Sequence, residues 1–264
     1  MSLKAVQFNR SLGPLRISGD VRAVLAGLVL FALLVNLGSW QLGRAGEKSA
    51  LAARWEARAA MPAMAPEVLL SDAPSTEAAA ALADRQVRWQ ASFSADHYLL
   101  LDNRLHHGRA GYHVIALAES DAGLIPVNLG WLAGDPSRRT TPTPTLPTGP
   151  VELEGRIYVP SGAPFMMRKP EPPATLPATV QTLYWDNWQR SLEALSGRAV
   201  FPYEVRIQPD SPHALVAEWT VVNQSPSKHI GYAVQWFAMA AVLVIIGLLR
   251  LTNLRSLFSR GSRP

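Results

Sequence analysis

The chain has 264 residues, 48% hydrophobic and 17% charged, with a formal net charge of +5 and no cysteine. The missing cysteine excludes disulfides, thiolate metal centres and cysteine nucleophiles, and the length allows one or two modest domains. Low charge with this apolar content suits a chain divided between bilayer and water.

Residues 1–22 form a tail in which Lys4, Arg10, Arg16 and Arg22 stand against Asp20, a balance of +3. The run from Ala23 to Leu42, AVLAGLVLFALLVNLGSWQL, then continues for about 20 residues without a charge, enough to cross roughly 30 Å of hydrocarbon as a helix. Its apolar core is too long for a signal peptide and no small-x-small pattern follows Trp40, so it reads as an uncleaved anchor. In GRAGEKSALAARWEARAAM, Leu51, Trp55 and Arg58 recur at helical spacing, so the helix is predicted to leave the bilayer intact and to stop at Pro62 and Pro66. An Ala-rich stretch from Ser75 to Asp84 reads as another helix, with Ser75 or Thr76 near its N-cap.

From Gln86 the pattern changes to strands. QVRWQASFSA, HYLLLDN, YHVIALAES, GLIPVNLGWL, VELEGRIYV, FPYEVRI and EWTVVNQ alternate or run apolar, with Gly108, Gly111, Asp121-Ala-Gly123 and Gly134-Asp-Pro136 as breakers. Asp121-Ala-Gly123 joins two of them as a hairpin. The Pro-rich stretches 136–150 and 160–178 are connecting loops. One amphipathic helix, Asn187 to Leu195, lies between late strands. The second apolar run, Ile230 to Leu249, IGYAVQWFAMAAVLVIIGLL, again has about 20 residues without a charge. Trp40, Tyr232 and Trp236 sit near run ends, where amphipathic rings favour the headgroup layer.

Charge sets the orientation. Arg250, Arg255, Arg260 and Arg263 give the C-terminal tail +4, while residues 43–229 hold 17 basic and 19 acidic residues. The positive-inside rule therefore places both termini in the cytoplasm. The basic residues form no stripe interleaved with aromatics, so nucleic acid is not a partner and the lipid bilayer is. The expected fold class is membrane α+β, with two transmembrane helices flanking a mainly antiparallel, barrel- or sandwich-like periplasmic domain. The expected divisions are a cytoplasmic tail 1–22, transmembrane helix 23–42, periplasmic β-rich domain 43–229, transmembrane helix 230–249 and cytoplasmic tail 250–264. The two helices are expected to pack side by side in a bacterial inner membrane.

His229 opens the second run. At helical spacing it shares a face with Tyr232, Ala233, Trp236 and Ala240, whose alanines leave room for a flat macrocycle or a close neighbouring helix. A neutral imidazole there either meets the headgroup layer or serves as an axial ligand for haem iron. Met239 lies about 15 Å further along the helix and cannot serve the same iron. Arg44 and Lys48, just outside the first anchor, either anchor it or pair with carboxylates. Asn36, Gln41 and Gln235 are polar groups expected to make contact across the helices. His106 and His107 are adjacent and point apart if extended, a poor chelating geometry. Asp102, Asn103 and Arg104 read as a turn held by an Asp–Arg pair, and Asn128, Trp131, Trp185 and Trp219 as fold determinants. Met166-Met167 beside Arg168-Lys169 reads as a surface loop. No nucleophile–base or nucleotide motif is present, so an enzyme is not expected.

Four stretches in order resemble the surfeit locus protein 1 family. They are Leu37-Gly-Ser-Trp-Gln-Leu-Gly-Arg44 with Glu47-Lys48, Leu101-Asp-Asn-Arg104 with Gly108-Arg-Ala-Gly-Tyr-His-Val114, Val127-Asn-Leu-Gly-Trp131, and Asn223 with His229-Ile-Gly-Tyr-Ala-Val-Gln-Trp-Phe237. The family's third motif usually has arginine where this chain has Leu129. The resemblance implies a non-enzymatic assembly factor and chaperone for haem–copper cytochrome c oxidase in respiratory chain biogenesis, with transiently bound haem a. It implies His229 as the axial ligand of the haem iron, with Tyr232, Trp236, Arg44 and Lys48 around it. The implied partners are the oxidase subunit that carries haem a and haem a synthase. A scaffold that stabilises an oxidase intermediate by protein contacts, without haem, is the alternative.

Overall fold

The computed structural model describes residues 7–70, 80–160, 170–219, 225–254 and 256, without the side chains of residues 186 and 187. They fall into two compact units, one of residues up to 53 and from 221 on, the other of residues 54–220.

The first unit holds two long apolar helices. Helix α1 spans Val21–Ala59. Asp20 caps it, accepting from the Arg22 N–H at 2.9 Å, which satisfies one of the four donors a helix start leaves free. The helix runs unbroken beyond the bilayer-length segment, as its Ala, Leu and Arg content predicts, and ends just before Pro62. The last long helix spans Pro226–Leu251, with Ser225 at the N-cap and proline in the first turn, where a missing N–H costs nothing. Both are long and apolar enough to cross a membrane, and only 11% of each apolar window is buried. Side chains such as Leu28, Val29, Val242 and Ile245 are exposed, as expected of residues that face lipid rather than water. The chain is thus a two-pass membrane protein.

The helices run antiparallel. Leu34, Gly38 and Ala45 are buried on α1, and Ala233 and Ala240 on its partner. Gly38 is required by the approach, because a Cβ there would lie 2.7 Å from the Phe237 ring. Small residues that let apolar helices come close are the main attraction available in lipid, where burial of apolar surface gains nothing.

The N-terminal tail contains an unexpected hairpin, β1 Gln7–Leu12 and β2 Leu15–Asp20. Gly13 turns it with a φ of 60°. It is tied to the end of the C-terminal helix: Ile17 bridges Thr252, Asn253 Oδ1 accepts from Arg16 N at 2.8 Å, and Asn253 Nδ2 donates to Pro14 O at 2.9 Å.

The second unit is sheet-rich. Its strands are β3 Gln86–His106, β4 Arg109–Glu119, β5 Leu124–Ala133, β6 Val151–Tyr158, β7 Ala178–Val180 and β8 Glu204–Ile207. The order is β4-β5-β8-β6-β3-β7, and β4 also pairs with β3, so β3, β4, β5, β8 and β6 form a closed circuit of neighbours. Most pairs are antiparallel, while β5–β8 and β3–β7 are parallel. The length of β3 makes the circuit possible. Its first part, Gln86 to Ala91, pairs with β6, and from Ser92 on it pairs with β4, with an irregularity between Phe93 and Tyr98. Ser120 and Gly123 close the β4–β5 hairpin.

Strand alternation supplies two cores. Val87, Trp89, Tyr98 and Leu100 join Val114, Val127, Ile157, Phe201 and Val205 in one. Leu99, Leu101, Ile115 and Leu117 point the other way, against Trp185, Trp188 and Leu192. The latter three lie on or beside helix α3, Trp185–Ser196, which ends on Gly197 in the left-handed conformation. A short helix α2, Pro66–Leu70, adds Leu69 to the first core; the Pro226–Leu251 helix is α4. Strand is not seen at Glu218 and Trp219, and the rest of that expected strand, the Ser75/Thr76 cap, Met166 to Lys169 and Asn223 lie outside the described residues.

Candidate functional site

His229 stands in the first turn of α4, half-buried. Its Nδ1 lies 2.8 Å from Gln41 Oε1 on α1. An amide oxygen only accepts, so Nδ1 carries a proton, and in the neutral ring the lone pair lies on Nε2. This is the arrangement by which an outer partner fixes the tautomer and ring direction of a metal-binding histidine. The cross-helix polar contact comes from this pair. Asn36 and Gln235, expected to take part, are exposed.

Around this pair, the seam is filled by helix rather than open. Ala233 is 1% exposed, so any macrocycle reaching His229 lies outside the seam. Tyr232, 52% exposed, and half-buried Trp236 are available there. On α1, Arg44 and Ala45 lie three and four positions from Gln41, and Lys48 lies four from Arg44 and three from Ala45, so the four share a broad face. Arg44 Nη1 pairs with Glu47 Oε2 at 2.6 Å, with both side chains substantially exposed. Lys48 has no acidic partner among the described residues.

In the sheet unit the fold makes contacts that sequence spacing hid. Asp102 faces Arg138 at 3.8 Å, and Asn103 Oδ1 accepts from Arg138 Nη2 at 2.9 Å, so the Asp–Arg pair read within Asp102-Asn-Arg104 is made with a different arginine. His106 and His107 do not point apart. His107 takes a φ of 46° in the β3–β4 turn, and the rings meet edge-on at 4.2 Å. With Glu218 they offer three ligand atoms within 4.8 Å of one another. Adjacent residues oppose each other only in extended backbone, and this turn is not extended.

A buried polar cluster was not read from the sequence as a unit. Asn128, 1% exposed, and Glu204, 3% exposed, hydrogen bond through Asn128 Nδ2 and Glu204 Oε2 at 3.1 Å, and Arg206 Nε donates to Glu204 Oε1 at 2.9 Å. Asn128 Nδ2 also lies 3.3 Å from His113 Nδ1. Burial first, then the positive charges of Arg104 and Arg206, lower the His113 pKa to about 4, so the ring is neutral near pH 7. The signal available was the polar Asn128 inside an otherwise apolar strand. Gly130, two residues on, takes a φ of 112°, and a Cβ there would lie 2.7 Å from Val216 O. Leu129, where the resembling family usually has arginine, is 2% exposed in the core. Trp131 and Trp219 bond inward, their Nε1 atoms donating to Arg104 O at 2.9 Å and Ile207 O at 2.7 Å, which fits their reading as fold determinants.

A family model described as the SURF1 family matches residues 28–241, from within α1 to within α4 and across the whole sheet unit. No curated protein matches the chain.

Proposed function

The chain belongs to the SURF1 family, which is linked to cytochrome c oxidase assembly, and from that premise we propose that it is a non-enzymatic assembly factor that holds haem a for delivery to the oxidase subunit that carries it. The cargo supplies an iron centre in need of an axial ligand. His229 is the ligand in this reading, and the observation that carries it is the 2.8 Å contact between Nδ1 and Gln41 Oε1, which turns a free Nε2 outward. Tyr232 and Trp236 offer aromatic surface to a flat ring, and Lys48 and Arg44 offer cations to its carboxylates.

The topology in this reading has both tails in the cytoplasm and the sheet unit in the bacterial periplasm, supported by the basic tails and the slightly acidic middle of the chain. The closed strand circuit acts as a small barrel that recognises the oxidase subunit or haem a synthase. Haem a co-purified with the His229→Ala chain from a strain that makes haem a tests the assignment. Loss of bound haem with an unchanged far-UV spectrum is expected. Unchanged haem content would remove His229 as ligand and leave the scaffold reading, in which the chain supports assembly by protein contacts alone.

A further inference from the structure

A cleft in the sheet unit, of about 370 Å³, lies in the size range of small-ligand sites. Its polar lining includes two arginines and one carboxylate, and each oxygen of the carboxylate already accepts a hydrogen bond. Glu204 accepts from Arg206 Nε at 2.9 Å and from Asn128 Nδ2 at 3.1 Å. Arg206 is held further, its guanidinium lying 3.4 Å from the Tyr158 ring centroid.

Arg104 differs. It has no ion pair or side-chain hydrogen bond among the described residues, and its Nε is shielded from solvent with no acceptor. Its sequence neighbour Asp102 is turned to Arg138 instead. His113 also lines the cleft. Its Nδ1 receives the Asn128 amide N–H at 3.3 Å, so its proton is on Nε2. The cleft is also lined by the apolar side chains of Leu101, Leu183 and Trp185.

The Arg104 Nε, shielded from solvent and without an acceptor among the described residues, carries a desolvation cost that no contact there offsets. A planar carboxylate is the group that matches the guanidinium fork of N–H donors. The apolar lining requires that the carboxylate be attached to a hydrophobic body. We propose that this cleft binds a small molecule joining one carboxylate to an apolar body, with Arg104 taking the carboxylate and Leu101, Leu183 and Trp185 the body. The site is independent of His229 and goes beyond the haem reading.

The test uses the full chain in non-ionic detergent, titrated calorimetrically with 4-phenylbutyrate and with its uncharged analogue 4-phenylbutyramide. The acid is expected to bind about tenfold or more tightly than the amide, the worth of one charge-assisted hydrogen-bond pair. Arg104→Gln is expected to bring the acid down to the amide's affinity with an unchanged thermal midpoint. Leu183→Trp, which fills the apolar part and leaves the arginine, is expected to abolish binding of both. Equal affinity for acid and amide, no binding of the acid at millimolar concentration, or wild-type binding by Arg104→Gln or Leu183→Trp would each overturn the proposal. None of these readouts involves haem, so such a failure leaves the assembly-factor reading standing.

Discussion

Gln41 Oε1 and His229 Nδ1 meet at 2.8 Å, joining α1 near the end of its apolar run to the first turn of α4. The contact orients an imidazole that would otherwise rotate freely. It also assigns the ring's proton to the nitrogen facing the protein.

Gln41→Met keeps the length of the side chain and removes the amide acceptor. If His229 ligates the haem iron, the loss of an outer-shell partner is expected to lower haem a retention by about 10- to 100-fold. Haem a in the purified chain, measured by its reduced pyridine spectrum, reads this directly. Gln41→Glu, which restores an acceptor, should recover most of it.

Gly38→Val places atoms where the Phe237 ring lies, 2.7 Å from the position of the new Cβ. Overpacking of this kind costs about 1–3 kcal/mol, and here it falls on the helix seam. The thermal midpoint of the helix pair should drop, and Phe237→Ala in the same chain should restore part of the loss. An additive effect of the two substitutions would show that they do not touch.

His113 makes stability depend on pH. Its folded pKa of about 4 lies below the ordinary 6.5, because of burial first and the charges of Arg104 and Arg206 after it. Between those values the unfolded chain binds a proton that the folded chain refuses. The contribution is therefore complete above about pH 6.5 and is lost as pH falls toward 4. With a partly exposed ring, up to about 2 kcal/mol is involved. Urea unfolding at pH 7 and pH 4.5 should show a smaller acid loss in His113→Gln than in the parent chain.

Asn253 holds the N-terminal hairpin through its contacts with Arg16 and Pro14. Asn253→Ala should raise amide exchange across residues 7–20 and leave the strands of residues 86–133 unchanged. Each lost hydrogen bond is worth about 1 kcal/mol, so local exchange should quicken by roughly tenfold or more.

Much of the architecture was legible from local pattern. The two apolar runs announced their helices, since about 20 uncharged residues have few other uses. Continuation of α1 followed from the spacing of Leu51, Trp55 and Arg58, and α3 appeared within two residues of its expected bounds. Alternation and apolar runs marked β3, β4, β5, β6 and β8, while the short β7 carries no such pattern and no strand forms at Glu218 and Trp219. The hairpin of residues 7–20 carries only a short local signal, Gly13-Pro14 between mixed segments, which the charge balance of the tail does not record.

Two apolar helices, the charge asymmetry of the tails, a strand-rich middle and the family were all present in the linear chain. These depend on neighbouring residues, and periodicity records them. Only the tertiary structure decided which polar groups face one another. Gln41 meets His229 across 188 positions, and Asn128 meets Glu204 across 76. Asp102 takes Arg138 rather than Arg104, and the His107 turn folds two histidines together. Such pairings depend on strand register, helix seam and backbone handedness, none of which a linear spacing contains.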